Sequence, residues 1–183
     1  MSNKMMTAEQ LLRKYKLGER DFSWANLKGV DLSYANLSGA NLSHTNLTDA
    51  VLCGANLSHT NLTEAVLHFA DLNTANLSGA NLYRAYLFDA NLTDIHTTGA
   101  TLREVNLLRS NLKHVDLSGV DLSYASICHA SLWGANLSNT NLFRADLSGT
   151  KLNNVNLSGA NLNSAKLDDE SIHVTVSDKL GSL

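Results

Sequence analysis

The sequence predicts an all-β solenoid, and three observations carry that prediction. Four residue types, 33 Leu, 21 Asn, 19 Ala and 19 Ser, fill half of the 183 positions. So skewed a composition points to internal repetition. Stepping by five from Phe22 to Ile172 meets 27 Leu, two Ile, Phe22 itself and one polar residue, Thr97. The column two residues earlier, from Arg20 to Glu170, holds 18 Ala and five Val. A period of five suits neither a helix, which repeats at about 3.6, nor a strand, which repeats at about 2. On a helix each leucine would be turned about 140° from the last. A chain that turns a corner every five residues instead points every leucine at a common axis.

The elements follow in chain order. Residues 1–20 read as an N-terminal cap. Thr7, Ala8, Glu9 and Gln10 fit a capping box, a helix follows over about Ala8 to Lys16, and Gly18 suits its exit. Leu11, Leu12 and Tyr15 are expected to cover the first coil. Residues 21–174 are the repeats. The residue before each central position is Asn in 15 repeats and Asp in six. The last position of the repeat, from Trp24 to Asp169, is Gly nine times and Asn, Asp or His ten times. Those types tolerate the left-handed backbone that corners need. Near the far end Ile172, Val174 and Val176 alternate with His173 and Thr175, as in a final strand. Residues 175–183 form a C-terminal tail with no obvious apolar helix to close the last coil. An open end of that kind could stack on another subunit through the C-terminal end of the solenoid.

The motif Ala-Asn/Asp-Leu-X-X, as in ANLSG from Ala35 to Gly39 and ADLSG from Ala145 to Gly149, resembles the pentapeptide-repeat proteins of bacterial type. The likeness covers about 150 of the 183 residues. It implies a right-handed quadrilateral β-helix with four pentapeptides per coil, about eight coils, and the Leu and Ala columns facing inward. The stretch from Leu11 to Phe22 is similar to the N-terminal segment of some bacterial members. Four repeats per coil can be checked in the sequence, because each side should then recur at every fourth repeat. Taking every fourth repeat from the one centred on Leu37 to the one centred on Leu157, all carry Ser or Thr after the centre, and Gly follows in five of seven. One bland side with a Ser/Gly ladder explains this. At ~4.8 Å per coil the rod is roughly 37 Å long.

Composition and register exclude most chemistry. No run of 18 apolar residues is present and the first residues hold no signal-length apolar stretch, so neither a membrane span nor export is expected and the cytoplasm is the default. A net charge of −3 leaves no basic footprint for nucleic acid, so no direct nucleic-acid binding is expected. Cys53 and Cys128 fall on different sides, nearly four coils apart, and are expected to be free thiols. The seven histidines never stack on adjacent coils in one column, so no metal site is expected. No nucleophile, base and orienter converge, and a filled convex rod offers no concave pocket. Neither catalysis nor a cofactor is expected. Thr97 beside Ile95 reads as local repacking that conserves core volume.

Outward residues four repeats apart should be neighbours on adjacent coils. Glu64, Arg84, Glu104, Tyr124 and Arg144 share one such column, Asp89 sits under Arg109 and Asp94 under His114. On one side Phe69, Tyr86, Phe88 and Leu108 should cluster, with His68 beside them. Around the adjacent corner come Tyr83, Arg84, Arg103 and Phe143, with Arg144 in the charged column. An aromatic and arginine patch on a Ser/Asn surface is the candidate partner-binding site. The resemblance adds a second reading, since some family members mimic DNA and modulate DNA gyrase, conferring quinolone protection. Residues 21–170 carry 14 acidic and eight basic side chains, a net −6. Duplex DNA of that length carries about 22 charges. The leading expectation is therefore a non-enzymatic interaction or regulatory scaffold for a protein partner, with gyrase modulation as the alternative.

Overall fold

The last position of each repeat makes the corner. In the computed structural model, which describes residues 5–152 and 154–168, every fifth residue from Trp24 to Ser164 has a left-handed backbone, with φ between 52° and 72°. In all the described turns but the one centred on Leu92, the N–H three residues past the centre closes back on the central carbonyl, as Ala40 N does on Leu37 O at 3.0 Å. A positive φ at the third turn residue alone is type II geometry.

Four such turns return the chain to its starting line. The residue before each centre bridges in parallel to its counterpart one coil on, as Asn36 to Asn56, Asn56 to Asn76 and Asn76 to His96. In most repeats three N–H groups point along the axis to a neighbouring coil. Around Leu57 they run from Leu57 to Asn76 O at 2.8 Å, from His59 to Ser78 O at 2.9 Å and from Asn56 to Ala35 O at 2.9 Å. The chain is a right-handed quadrilateral β-helix. Its four sides are numbered by their central residues: the first contains Leu82, the second Leu87, the third Leu92 and the fourth Thr97.

The core is the stack of central residues over the Ala column, and both are buried from Leu37 to Leu152. Where the Ala column turns polar, the hydroxyl finds a carbonyl. Thr45 and Thr60 donate to the carbonyls of Leu42 and Leu57 in their own turns, at 2.6 and 2.7 Å. Thr140 and Thr150 reach the preceding coil instead, donating to Leu117 O and Ile127 O at 2.8 Å each. Thr97 and Ile95 are both buried. The Thr97 hydroxyl donates to the Asp116 carbonyl on the next coil, so the polar centre carries its own hydrogen bond as well as fitting the space.

The first coil is closed by α1 (Ala8–Lys16), whose capping box at Thr7 and Gln10 is present. Met5 bridges to Asn26 before the helix begins. Leu11 is wholly buried and the Tyr15 hydroxyl donates to Ser38 O at 2.7 Å. Leu12 is exposed, against expectation. The helix docks through the Leu11 and Tyr15 stripe, and Leu12 lies off it. Gly18 has φ 97° and its N–H bonds to Tyr15 O at 3.0 Å, making the expected exit. The alternating Ile172, Val174 and Val176, the 174 boundary and the tail over 175–183 lie outside the described residues.

Candidate functional site

One corner of the rod contains no glycine. Between the first and second sides the corner residues are Trp24, His44, Glu64, Arg84, Glu104, Tyr124, Arg144 and Ser164, all left-handed. Between the fourth and first sides the corresponding column is Gly39, His59, Gly79, Gly99, Gly119, Asn139 and Gly159. A non-glycine residue in that backbone costs on the order of 1 kcal/mol. The glycine-free corner accepts that cost at eight successive coils.

Corner side chains lean on the next coil, and what lies beneath them differs by column. The His59 ring covers Gly79, where an added Cβ would stand 2.5 Å from Nδ1. Tyr34 covers Gly54 and His129 covers Gly149 in the same way. On the glycine-free corner the partners are side chains. Trp24 stacks on His44 with centroids 4.1 Å apart, and His44 Nδ1 stands 3.5 Å from Glu64 Oε2.

The middle of that corner is one connected network. Arg84 Nε donates to Glu104 Oε2 at 2.7 Å, the Tyr83 hydroxyl reaches the same oxygen at 3.3 Å, and Arg103 meets Oε1 at 3.3 Å. Arg103 lies over the Tyr124 ring at 5.6 Å, and Tyr124 packs edge-on to Phe143 at 5.6 Å. Arg144 lies over Phe143 at 5.2 Å. The hydrogen bond from Arg84, reinforced by the charges of Arg84 and Arg103, holds the Glu104 carboxyl below its ordinary range. The same bond raises the Arg84 guanidinium.

The second side carries the other cluster. Phe69 and Phe88 meet edge to face at 5.3 Å, and His68 lies 6.1 Å from both Tyr86 and Phe88. Nδ1 of His68 is buried without a hydrogen-bond partner. Arg109 closes the far corner, 3.0 Å from Asp89 and 5.6 Å over Phe88. Leu108 stands one coil on from Phe88, half-buried, and its carbonyl accepts from Asp89 N at 3.1 Å.

The structure brings the ten expected residues into two adjoining groups: His68, Phe69, Tyr86, Phe88 and Leu108 on the second side, and Tyr83, Arg84, Arg103, Phe143 and Arg144 at its first corner. Stacking of Arg109 on Phe88 and of Trp24 on His44 was not foreseen, although in both pairs the partners stand about one coil apart in the sequence, which carried the signal. His114, expected beside Asp94, packs edge-on to Trp133 at 4.7 Å. Cys53 and Cys128 are free, and burial pushes the Cys128 thiol up. Among the described residues no helix is long and apolar enough to cross a membrane.

The family description "pentapeptide repeats" matches residues 21–58, 40–79, 80–119, 120–159 and 140–169, with eight copies. Among solved structures the chain is similar to HetL, a pentapeptide repeat protein involved in heterocyst differentiation regulation in the cyanobacterium Nostoc sp. strain PCC 7120. That likeness has 31% identity over 88% of this chain and 94% of HetL, with a TM-score of 0.48. It is also similar to full-length QnrB1, a plasmid-mediated fluoroquinolone resistance protein. There the identity is 19% over 82% of this chain and 83% of QnrB1, with a TM-score of 0.62. No curated protein matches the sequence.

Proposed function

The chain belongs to the pentapeptide repeat family, and we propose that it works as a non-enzymatic interaction module that docks a protein partner on the second side and its flanking corners. The observation that carries this reading is the glycine-free corner. Bulky and charged residues occupy a backbone in which glycine would be less strained, and this is the one edge where no glycine interrupts them. Arginine and aromatic side chains are the types enriched at interfaces. Tyr86 beside that corner and Phe69 at the far edge of the second side are 42% and 52% exposed, so apolar area is left for a partner to cover.

Gyrase modulation by DNA mimicry, the activity class to which a fluoroquinolone resistance protein points, fits the surface less well. The net −6 of residues 21–170 is about a quarter of the ~22 charges on duplex DNA of that length. Arg84, Arg103, Arg109 and Arg144 interrupt it further.

The test is an affinity pull-down with the wild-type chain and with Phe88→Ser/Leu108→Ser, beside a gyrase supercoiling assay. The expected result is a non-topoisomerase protein retained by the wild type and lost on the double variant, with supercoiling unaffected. A partner retained equally by both, or inhibition of gyrase at low micromolar protein, overturns the reading.

A further inference from the structure

We infer that the partner presents an acidic amphipathic helix, which lies along the rod axis on the second side. Its carboxylates meet the arginines of the two corners, and its apolar face meets the rings between them. This deepens the interaction reading above and rests on it.

The first ground is where the arginines are. The described solenoid has four, Arg84, Arg103, Arg109 and Arg144, and all four flank the second side of a rod whose net charge over residues 21–170 is −6. Each guanidinium lies over a ring: Arg84 over Tyr83 at 5.0 Å, Arg103 over Tyr124 at 5.6 Å, Arg109 over Phe88 at 5.6 Å and Arg144 over Phe143 at 5.2 Å. A ring under the guanidinium fixes its plane and leaves its edge outward. Arg84 and Arg109 each engage an acidic neighbour through Nε, and their side chains are 52% and 61% exposed. A guanidinium has five N–H donors, so the terminal nitrogens remain for an incoming bidentate carboxylate. Arg144 has ring contacts and no acidic partner among the described residues.

The second ground is the direction of the backbone. N–H and C=O groups run along the axis and are taken up between coils, as from Leu87 N to Asn106 O at 2.7 Å and Tyr86 N to Ala65 O at 2.9 Å. The second side therefore offers no free edge to which a strand could add, and recognition there falls to side chains. A helix suits that surface. Its rise of about 5.4 Å per turn nearly matches the ~4.8 Å between coils, so a helix along the axis presents about one turn to each coil. Acidic residues one turn apart then face Arg84 and Arg103, and one about three turns on faces Arg144. The opposite flank faces Arg109, and apolar residues between them cover Phe69, Tyr86 and Phe88. The acidic Asp89, Glu104 and Asp146 interleaved with the arginines disfavour a polyphosphate chain.

The experiment selects binders of the full chain from a phage-displayed random library of peptides of about 15 residues, four helical turns. The expected outcome is enrichment of peptides with Asp or Glu at helical spacing beside an apolar stripe. Their affinity should fall at least about tenfold on Arg103→Glu/Arg109→Glu and decline with rising salt. Arg144→Glu, which removes no ion pair among the described residues, serves as a second reversal and should weaken the same peptides while the melting temperature stays with the wild type. Enrichment of neutral or basic peptides, indifference to Arg144→Glu, no enrichment at all, or preferred binding of a single-stranded oligonucleotide each overturns the inference. If the pull-down partner is lost on Phe88→Ser/Leu108→Ser while the library yields neutral peptides, the inference falls and the interaction reading stands. If that partner is retained, the reading itself falls.

Discussion

At the residue scale the clearest rule concerns the position before each centre. Its Oδ1 caps the local turn, as Asn61 Oδ1 accepts from Thr63 N at 3.1 Å. When that residue is Asn, its amide in most cases also donates to the preceding coil: Asn61 to Asn41 Oδ1 at 3.2 Å, and Asn41 to Asp21 Oδ1 at 2.9 Å. Aspartate can accept in such a ladder but cannot donate. Accordingly Asp21, Asp31, Asp71, Asp116, Asp121 and Asp146 all lack an Asn or Asp one coil earlier. Wherever one of this pair follows the other by a coil, the later residue is Asn. Asn61→Asp is expected to lower unfolding stability by about 1 kcal/mol or more by setting acceptor against acceptor. Asp71→Asn, over Val51, should be nearly neutral. Urea unfolding of the two variants checks this, and equal midpoints would remove the rule. A second residue-scale prediction concerns Thr74, a β-branched corner at φ 56°. Thr74→Gly should raise stability by about 1 kcal/mol, less whatever its 2.7 Å hydroxyl bond to Asn73 O contributes, and a lower urea midpoint would show that bond to outweigh the strain.

At the scale of the element, the side and its corner were legible in the sequence because one period governs both. A leucine every five residues requires a turn every five residues, so the corner column and the buried columns could be numbered without coordinates. The candidate site was legible for a related reason, since a step of four repeats predicts which outward side chains are neighbours. Rotamers carry no period. Arg109 was readable as a partner of Asp89, but its reach over Phe88 depends on how the side chain lies, as does the edge-on contact of His114 with Trp133. Leu12 misled because the docking angle of α1 is set by packing of Leu11 and Tyr15, which helical spacing alone does not fix. The irregular repeat shows both kinds of information. The exchange of volume between Ile95 and Thr97 could be seen in the sequence, whereas the hydroxyl bond to Asp116 O could not. Ile95→Ala should cost about 2–5 kcal/mol by thermal or urea unfolding, and a loss under about 0.5 kcal/mol would show that Ile95 fills no space Thr97 leaves.

For the whole molecule, the turn-capping carboxylates set the response to acid. Bonds from the backbone N–H and hydroxyl of the serine two residues on hold Asp21, Asp31, Asp116 and Asp146 below their usual range, and Arg84 does the same for Glu104. Each binds a proton more readily in the unfolded chain. Their contribution is therefore present above the unfolded value of about 4 and is lost as pH falls through the lower folded values. The melting temperature should be nearly level from pH 7 to about 5 and drop steeply below about 4. A flat profile to lower pH would mean these caps do not stabilise the rod.

The four-repeat coil also makes chain length act as an angle. Removing one whole coil shortens the rod by about 4.8 Å and returns every surviving side chain to its own side. Removing a single repeat, residues 101–105 for instance, leaves Leu following Leu along the axis but turns everything beyond it by one side. Arg109 would then stand where Glu104 stood, next to Arg84, and the attraction at that corner would become repulsion. Insertions and deletions of whole repeats are thus silent to the core, whereas only those of whole coils are silent to the surface. In this fold a change of length can rewrite recognition while leaving stability almost untouched.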